Sequence, residues 1–331
     1  MGGRDNGRMV RWAPRLLAPI AFLIGVLLIT RSGDAGPPPW RAAQPSLVKR
    51  SEVGAARIGD RIYVVGGYRA PGGATTAALE SYDISAGTWA RRRSLPIAVN
   101  HPAVTSAGGK LYVNGGFQAQ GQQKPSARLY SYSPKQDRWK RLPDSPIARA
   151  AHALQQIGGK LYAAGGANGF NRQLRSLWIY DLSSRAWRRG PRMRVGRNHV
   201  ASAVLDRKLY VVGGRPGPEA GNLRVVERFN PASGRWRTLA PLTTPTSGAA
   251  AAVAHGQVVV FGGEKQDGSG ETVSATQDYN PSTDTWTELA DMLTPRHGLG
   301  GASYGNRVFA LEGGPIAGLH FSTANEYLRA P

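Results

Sequence analysis

Short runs that are apolar at every position recur along this chain, and each leads into a doubled glycine. Leu209-Tyr210-Val211-Val212-Gly213-Gly214 is the clearest; Ile62-Tyr63-Val64-Val65 and Leu111-Tyr112-Val113 belong to others. Such β-prone runs, with no polar alternation, describe strands covered on both faces. Several are preceded by a tight hairpin signal: Gly59-Asp60, Gly108-Gly109, Gly158-Gly159, Gly305-Asn306. These pairs suit two-residue turns with positive φ. Downstream come an aromatic, a turn and a tryptophan, as in Phe229-Asn230-Pro231 to Trp236 and Tyr279-Asn280-Pro281 to Trp286. That reads as strand, turn, strand. Each unit therefore predicts one four-stranded antiparallel sheet, with strands a to d from the inside outward.

The glycine pairs fall at 66/67, 115/116, 165/166, 213/214, 262/263 and 313/314, spaced 49, 50, 48, 49 and 51. Trp89, Trp139, Trp187, Trp236 and Trp286 are spaced 50, 48, 49 and 50. Small sheets that each need cover on both faces satisfy one another in a ring. A period near fifty with a doubled glycine, an aromatic and a tryptophan resembles the kelch repeat, here over roughly residues 40–331. The resemblance implies an all-β, six-bladed propeller. Its blades would span 50–95, 99–145, 149–193, 197–242, 246–292 and 296–331. The last copy stops without a tryptophan, but Trp40 lies 49 residues before Trp89, in phase. Residues 40–47 are therefore expected to supply strand d of the last blade and close the ring.

The N-terminus follows another pattern. Arg4, Arg8, Arg11 and Arg15 precede an uncharged, mostly apolar stretch, Leu16–Thr30, interrupted by Pro19. A basic region ahead of an apolar one is an export signal. Gly33-Asp34-Ala35 offers small residues for cleavage; an uncleaved anchor is the other outcome, although the stretch is short for a full span. The expected organisation is residues 1–35 as signal peptide or signal anchor and 36–331 as an exported propeller. Its place would be the periplasm, the exterior, or the outer face of the cytoplasmic membrane.

Composition adds charge. The net charge is +21, from 42 basic residues against 21 acidic ones. Many arginines follow the blade tryptophans: Arg41, Arg91, Arg92, Arg93, Arg141, Arg188, Arg189 and Arg237. On an outermost strand, positive charge discourages edge-to-edge pairing. It also attracts anionic polysaccharide or an anionic membrane surface. Nucleic acid is disfavoured by export and by the lack of a basic stretch interleaved with exposed aromatics. The absence of cysteine removes thiol chemistry. It also removes the copper-radical chemistry of galactose oxidase, another kelch-built protein, which needs a Cys crosslinked to Tyr.

Candidate chemistry lies where the chain enters each blade. Strand a begins near Arg50, Val99, Arg149, Arg197, Thr246 and Arg296. The next two places hold Ser51, Glu52, Asn100, His101, Asn198, His199, Ser247 and His297. One face is thus expected to present Arg50, Arg149, Arg197 and Arg296 with His101, His199 and His297 around a central mouth. Arginine forks suit carboxylate or sulfate. The competing reading is that each arginine bonds the carbonyls of a neighbouring inter-blade loop. Glu264 and Glu312 flank glycine pairs near the same mouth. The three histidines differ in register, so no metal and no cofactor are expected.

These readings predict a monomeric binding module for an anionic protein segment or acidic glycan, similar to eukaryotic kelch adaptors whose arginines bind acidic peptides. The alternative is a sugar-processing enzyme, because size, export signal and blade number resemble the bacterial sialic acid mutarotases. Ring opening needs an acid/base pair and a carboxylate anchor. Glu52, Glu264 or His199 would then move the proton, and Arg149, Arg197 or Arg296 would hold the acid.

Overall fold

The computed structural model describes residues 2, 39–69, 72–118, 124–169, 172–217 and 220–330. The expected signal segment, apart from Gly2, lies outside them. Among the described residues no helix is long and apolar enough to cross a membrane.

Six four-stranded antiparallel sheets make up the fold. The first blade runs Gly54–Ile58, Arg61–Val65, Leu79–Asp83 and Thr88–Arg92 as strands a to d. Strand b is the most buried element, and its two faces serve different neighbours. Ile62 and Val64 pack with Phe309 and Leu311 of the last blade. Tyr63 and Val65 pack with Leu111 and Val113 of the second. That double burial is why these strands are apolar throughout. In the second to fifth blades the a–b turn places two residues at positive φ, and in the first and last one, Gly59 or Gly305, a conformation glycine adopts at least cost. In the fourth blade Asp206 and Arg207 take the same conformation, at φ 50° and 57°.

The ring closes as Trp40 predicts. Arg41–Ala43 pairs antiparallel with Asn325–Arg329, with Arg41 opposite Tyr327. Trp40 is 2% exposed, and its indole N–H reaches the Ala290 carbonyl at 3.1 Å. Every other blade repeats this bond to the blade before it. Trp89 donates to Gln44, Trp139 to Arg93, Trp187 to Pro143, Trp236 to Pro191 and Trp286 to Ala240. One tryptophan per blade thus staples the ring, and Trp40 supplies the sixth staple.

The glycine pairs sit where strand b meets the next blade. A Cβ at Gly115 would lie 2.1 Å from the Arg149 carbonyl oxygen, and both Gly115 and Gly116 have positive φ. Here the sequence register needs one correction. In the last blade the two positive-φ positions are Glu312 (57°) and Gly313 (97°), not Gly313 and Gly314. The structural pair therefore falls one residue before the sequence pair, and a buried glutamate occupies a glycine position.

Candidate functional site

The residues that matter for chemistry lie two places beyond the start of each crossing segment. Glu52, His101, Ala151, His199, Gly248 and Gly298 all adopt left-handed backbone, with φ between 51° and 66°. Their peptide groups form a hydrogen-bonded ring around the axis. His101 N–H donates to the Glu52 carbonyl (2.8 Å), Ala151 to His101 (3.0 Å) and His199 to Ala151 (2.9 Å). Gly248 donates to His199 (2.9 Å), Gly298 to Gly248 (2.8 Å), and Val53 completes the circuit to Gly298 (3.2 Å). Each blade thus fixes the next blade's αL residue, which costs a non-glycine residue about 1–2 kcal/mol.

Six side chains make a second ring at the same place. Glu52 Oε2 meets His101 Nε2 at 3.0 Å. His101 Nε2 meets His199 Nε2 at 2.9 Å, and Arg215 Nη2 reaches His199 Nε2 at 3.0 Å. Arg215 pairs with Glu264 through Nη1. Glu264 Oε2 lies 3.6 Å from His297 Nδ1, and His297 Nδ1 returns to Glu52 Oε1 at 3.0 Å. None of the six is more than 8% exposed. Gly298 makes room for the circuit, since a Cβ there would sit 2.6 Å from the Glu52 carboxyl carbon.

Acidic and basic groups share the ring, and each shifts its neighbours. Burial alone would raise the Glu52 carboxyl. His101, the hydrogen bond from His297, and His199 outweigh it and hold that carboxyl well below the ordinary carboxylate range. Burial lowers His101 to about 4 against the pull of Glu52, and pushes His199 well below the ordinary imidazole range with help from Arg215. His297 goes the other way: burial opposes its charge, but its bond to Glu52 and the nearby Glu264 raise it. Carboxyl, imidazole and guanidinium groups thus interleave around the ring.

This ring caps a cavity of about 140 Å³ that Glu52, His101 and His199 help to line. A second space of about 230 Å³ shares Ala55, Val104, Gln155, Ser202, Ala251 and Gly301 with it. Together they form a channel along the axis, walled by small strand-a residues. Tyr68 and Phe117 pack edge-on against His101, at 5.7 and 5.6 Å between centroids. They hold its ring in place.

The expected arginine face does not form. Arg50, Arg149, Arg197 and Arg296 are 0% exposed and point into their own blades. Each donates to the carbonyl sixteen residues on: Gly66, Gly165, Gly213 and Glu312. Arg50 also bridges Glu80 (2.9 Å) and Glu312 (2.8 Å). Arg197 pairs with Glu227, and Arg296 with Glu326 (3.1 Å). A glycine pair leaves carbonyls to which no strand partner donates, and a five-donor guanidinium satisfies several at once. Glu312 is likewise not at the mouth but buried beside Arg50. Of the ligand set expected from sequence, His101, His199 and His297 do converge. So do the proton-transfer candidates Glu52 and Glu264, through His297. Sequence reasoning missed Arg215. It follows a glycine pair as Glu264 does, with Tyr68, Phe117 and Ala167 in the equivalent places, so aligning that position would have found it.

With this geometry in view, comparisons with known proteins are informative. A model described as the KLHDC2/KLHL20/DRC7 Kelch-repeats domain matches residues 52–239 and 101–314. Kelch-like protein 35 of Mus musculus is 37% identical over 94 residues, 28% of this chain and 16% of the relative. Kelch-like protein terF of Aspergillus terreus is 30% identical over 232 residues, 65% of this chain and 50% of the relative. The chain thus spans half or less of these relatives. Among solved structures, that of YjhT superposes with a TM-score of 0.73 at 17% identity, covering 86% of this chain and 95% of the other; it shares the fold. On the family match and the six stapled blades, the chain belongs to the kelch-repeat family.

Proposed function

We propose that this propeller is an exported interaction module that takes an acidic protein segment or acidic glycan. The observation that carries the reading is where free charge lies. Among the described residues, burial removes seven carboxylates (Glu52, Glu80, Glu227, Glu264, Asp278, Glu312, Glu326) but five arginines, so the surface becomes more basic. Exposed cations recur on the outer strands of the first four blades, at Arg91, Arg93, Arg138, Lys140, Arg188, Arg189, Arg235 and Arg237, and Arg41 adds one on the last blade. The fifth blade presents Thr285, Thr287 and Glu288 there instead. A basic rim interrupted only at the fifth blade attracts polyanions at ordinary salt. The anionic contact is therefore assigned to the rim and not to the axial arginines.

Binding of a polyglutamate peptide and of a hyaluronate oligosaccharide, each at low and high salt, tests this. Salt-sensitive binding abolished by combined Arg91→Glu, Arg93→Glu, Arg188→Glu and Arg189→Glu supports the reading. Unchanged binding in that variant, or none by the parent, overturns it. A second reading, an acid/base enzyme of the mutarotase type, is favoured by the Glu52–His297 contact at the head of the channel. Accelerated anomer exchange of N-acetylneuraminate, lost in Glu52→Gln, is its test.

A further inference from the structure

Three atoms able to ligate a metal, Glu52 Oε2, His101 Nε2 and His199 Nε2, converge on the axis. Asn100 donates its Nδ2 to the Phe117 carbonyl (3.2 Å), so its Oδ1 faces His101 Nδ1 at 2.6 Å as an acceptor. The His101 proton therefore sits on Nδ1, and Nε2 carries the lone pair. His199 is fixed the same way from both sides. Asn198 Oδ1 takes its Nδ1 proton, and Arg215 donates toward its Nε2. The two Nε2 atoms stand 2.9 Å apart, with that of His199 shared with Arg215, and His101 Nε2 also faces Glu52 Oε2 at 3.0 Å. The donor atoms of Glu52, His101 and His199 all lie within 4.8 Å of one another.

We propose that Glu52, His101 and His199 bind one divalent transition-metal ion of the zinc type, with a fourth position open to the axial channel. Two imidazoles and a carboxylate suit zinc and its neighbours better than calcium or magnesium. Around a tetrahedral zinc, ligand atoms stand about 3.3 Å apart, so an opening of a few tenths of an ångström admits the ion. Each histidine already donates its other ring N–H to a fixed acceptor, the arrangement that orients metal-bound imidazole. The three Cα atoms are tied to the hydrogen-bonded backbone ring, so the donor set is held before any ion arrives. Small residues wall the channel side and leave room for water or a substrate oxygen as fourth ligand. Arg215 competes for the His199 lone pair; Glu264 keeps it paired when it swings aside.

The site is independent of the rim; it shares Glu52 with the mutarotase reading, and ion binding is read without any activity. Its test is equilibrium dialysis of the chelator-stripped full chain against Co²⁺, with absorbance to read the ligand field. One ion per chain with tetrahedral bands is expected. His101→Ala and Glu52→Gln should each weaken binding by about 100-fold or more. Arg215→Ala should tighten it about tenfold. His255→Ala, in the hairpin turn of the fifth blade, should leave it unchanged. If His101→Ala does not fold, Glu52→Gln, which keeps the shape of the side chain, decides alone. No bound ion at millimolar Co²⁺, or binding indifferent to these two substitutions, overturns the site and leaves a proton between His101 and Glu52.

Discussion

The segment that leads into each blade carries two positions only two residues apart, and the molecule uses them in opposite ways. The first holds Arg50, Val99, Arg149, Arg197, Thr246 and Arg296; the second holds Glu52, His101, Ala151, His199, Gly248 and Gly298. In an extended strand residues i and i+2 share a face. Here the second position is itself left-handed, and it turns to the axis while the first plunges into its blade. The first position repeats itself because every blade has the same carbonyls to satisfy. The second varies because only part of the ring carries chemistry. In a repeat protein, recurrence of one residue type marks scaffold, and irregularity at a fixed place marks a site.

The strongest way to break this comparison is to exchange the expected costs. Arg197→Ala strands the Glu227 carboxylate, which is 0% exposed, and frees the carbonyls of Val211 and Gly213. Removing one partner of a buried pair typically costs about 3–5 kcal/mol. His199→Ala, two residues on, removes a neutral ring beside a cavity and should cost less than about 2 kcal/mol. Urea unfolding of both variants checks the ranking; equal costs would erase the distinction between scaffold and site.

How far the sequence could see follows from the same two positions. The period placed Trp40 in the right blade, because a staple must recur once per blade. It also found the rows containing Arg197 and His199. It could not show direction, because a single αL residue reverses the alternation and nothing in Ser51-Glu52 or Asn198-His199 announces positive φ. The misplaced pair at Gly313-Gly314 has a similar cause: glycine was assumed wherever φ is positive, and Glu312 breaks that rule. The salt partners Glu80, Glu227 and Glu326 each lie thirty residues beyond their arginines. That regular offset was present in the sequence, but it acquires meaning only once strand c is known to pass the guanidinium.

Glu312 sharpens the comparison through pH. Burial raises its carboxyl to about 7, with Arg50 opposing. A raised acid binds more protons folded than unfolded between the ordinary carboxylate range and about pH 7. Stability attributable to this group therefore falls as pH rises through that window, by at most about 3 kcal/mol. Glu312→Gln should flatten that slope in thermal unfolding scanned from pH 4.5 to 7. A slope unchanged by the substitution would show that Arg50 keeps Glu312 ionised throughout.

A smaller effect is expected where an arginine has no carboxylate. Arg149 bonds the carbonyls of Ala163, Gly165 and Ser176 and the Ser176 hydroxyl. Burial lowers it to about 10. Thr246 fills the same place in the fifth blade and bonds the Gly262 carbonyl at 2.9 Å. Arg149→Thr should therefore fold and lose about 1–3 kcal/mol, the usual cost of a few unmet buried acceptors. A loss as large as that of Arg197→Ala would mean that the guanidinium's packing, not its pairing, sets the cost.

The smallest expected change tests whether the axial backbone is strained at all. Ala151 holds φ 52° with only a methyl group on the axis. An L-residue there costs about 1–2 kcal/mol relative to glycine, while glycine adds about 0.5–1 kcal/mol of unfolded-state entropy. Ala151→Gly should thus stabilise by no more than about 1 kcal/mol, and Co²⁺ affinity should stay where it was, since a methyl group supplies no ligand atom. Gly248 and Gly298 already make this choice in two blades, and Gly298 does so because Glu52 needs the space. If Ala151→Gly destabilises, the hydrogen-bonded ring imposes no strain on its members. The left-handed conformation of Glu52, His101 and His199 would then reflect inter-blade bonding alone, without backbone energy held at the site.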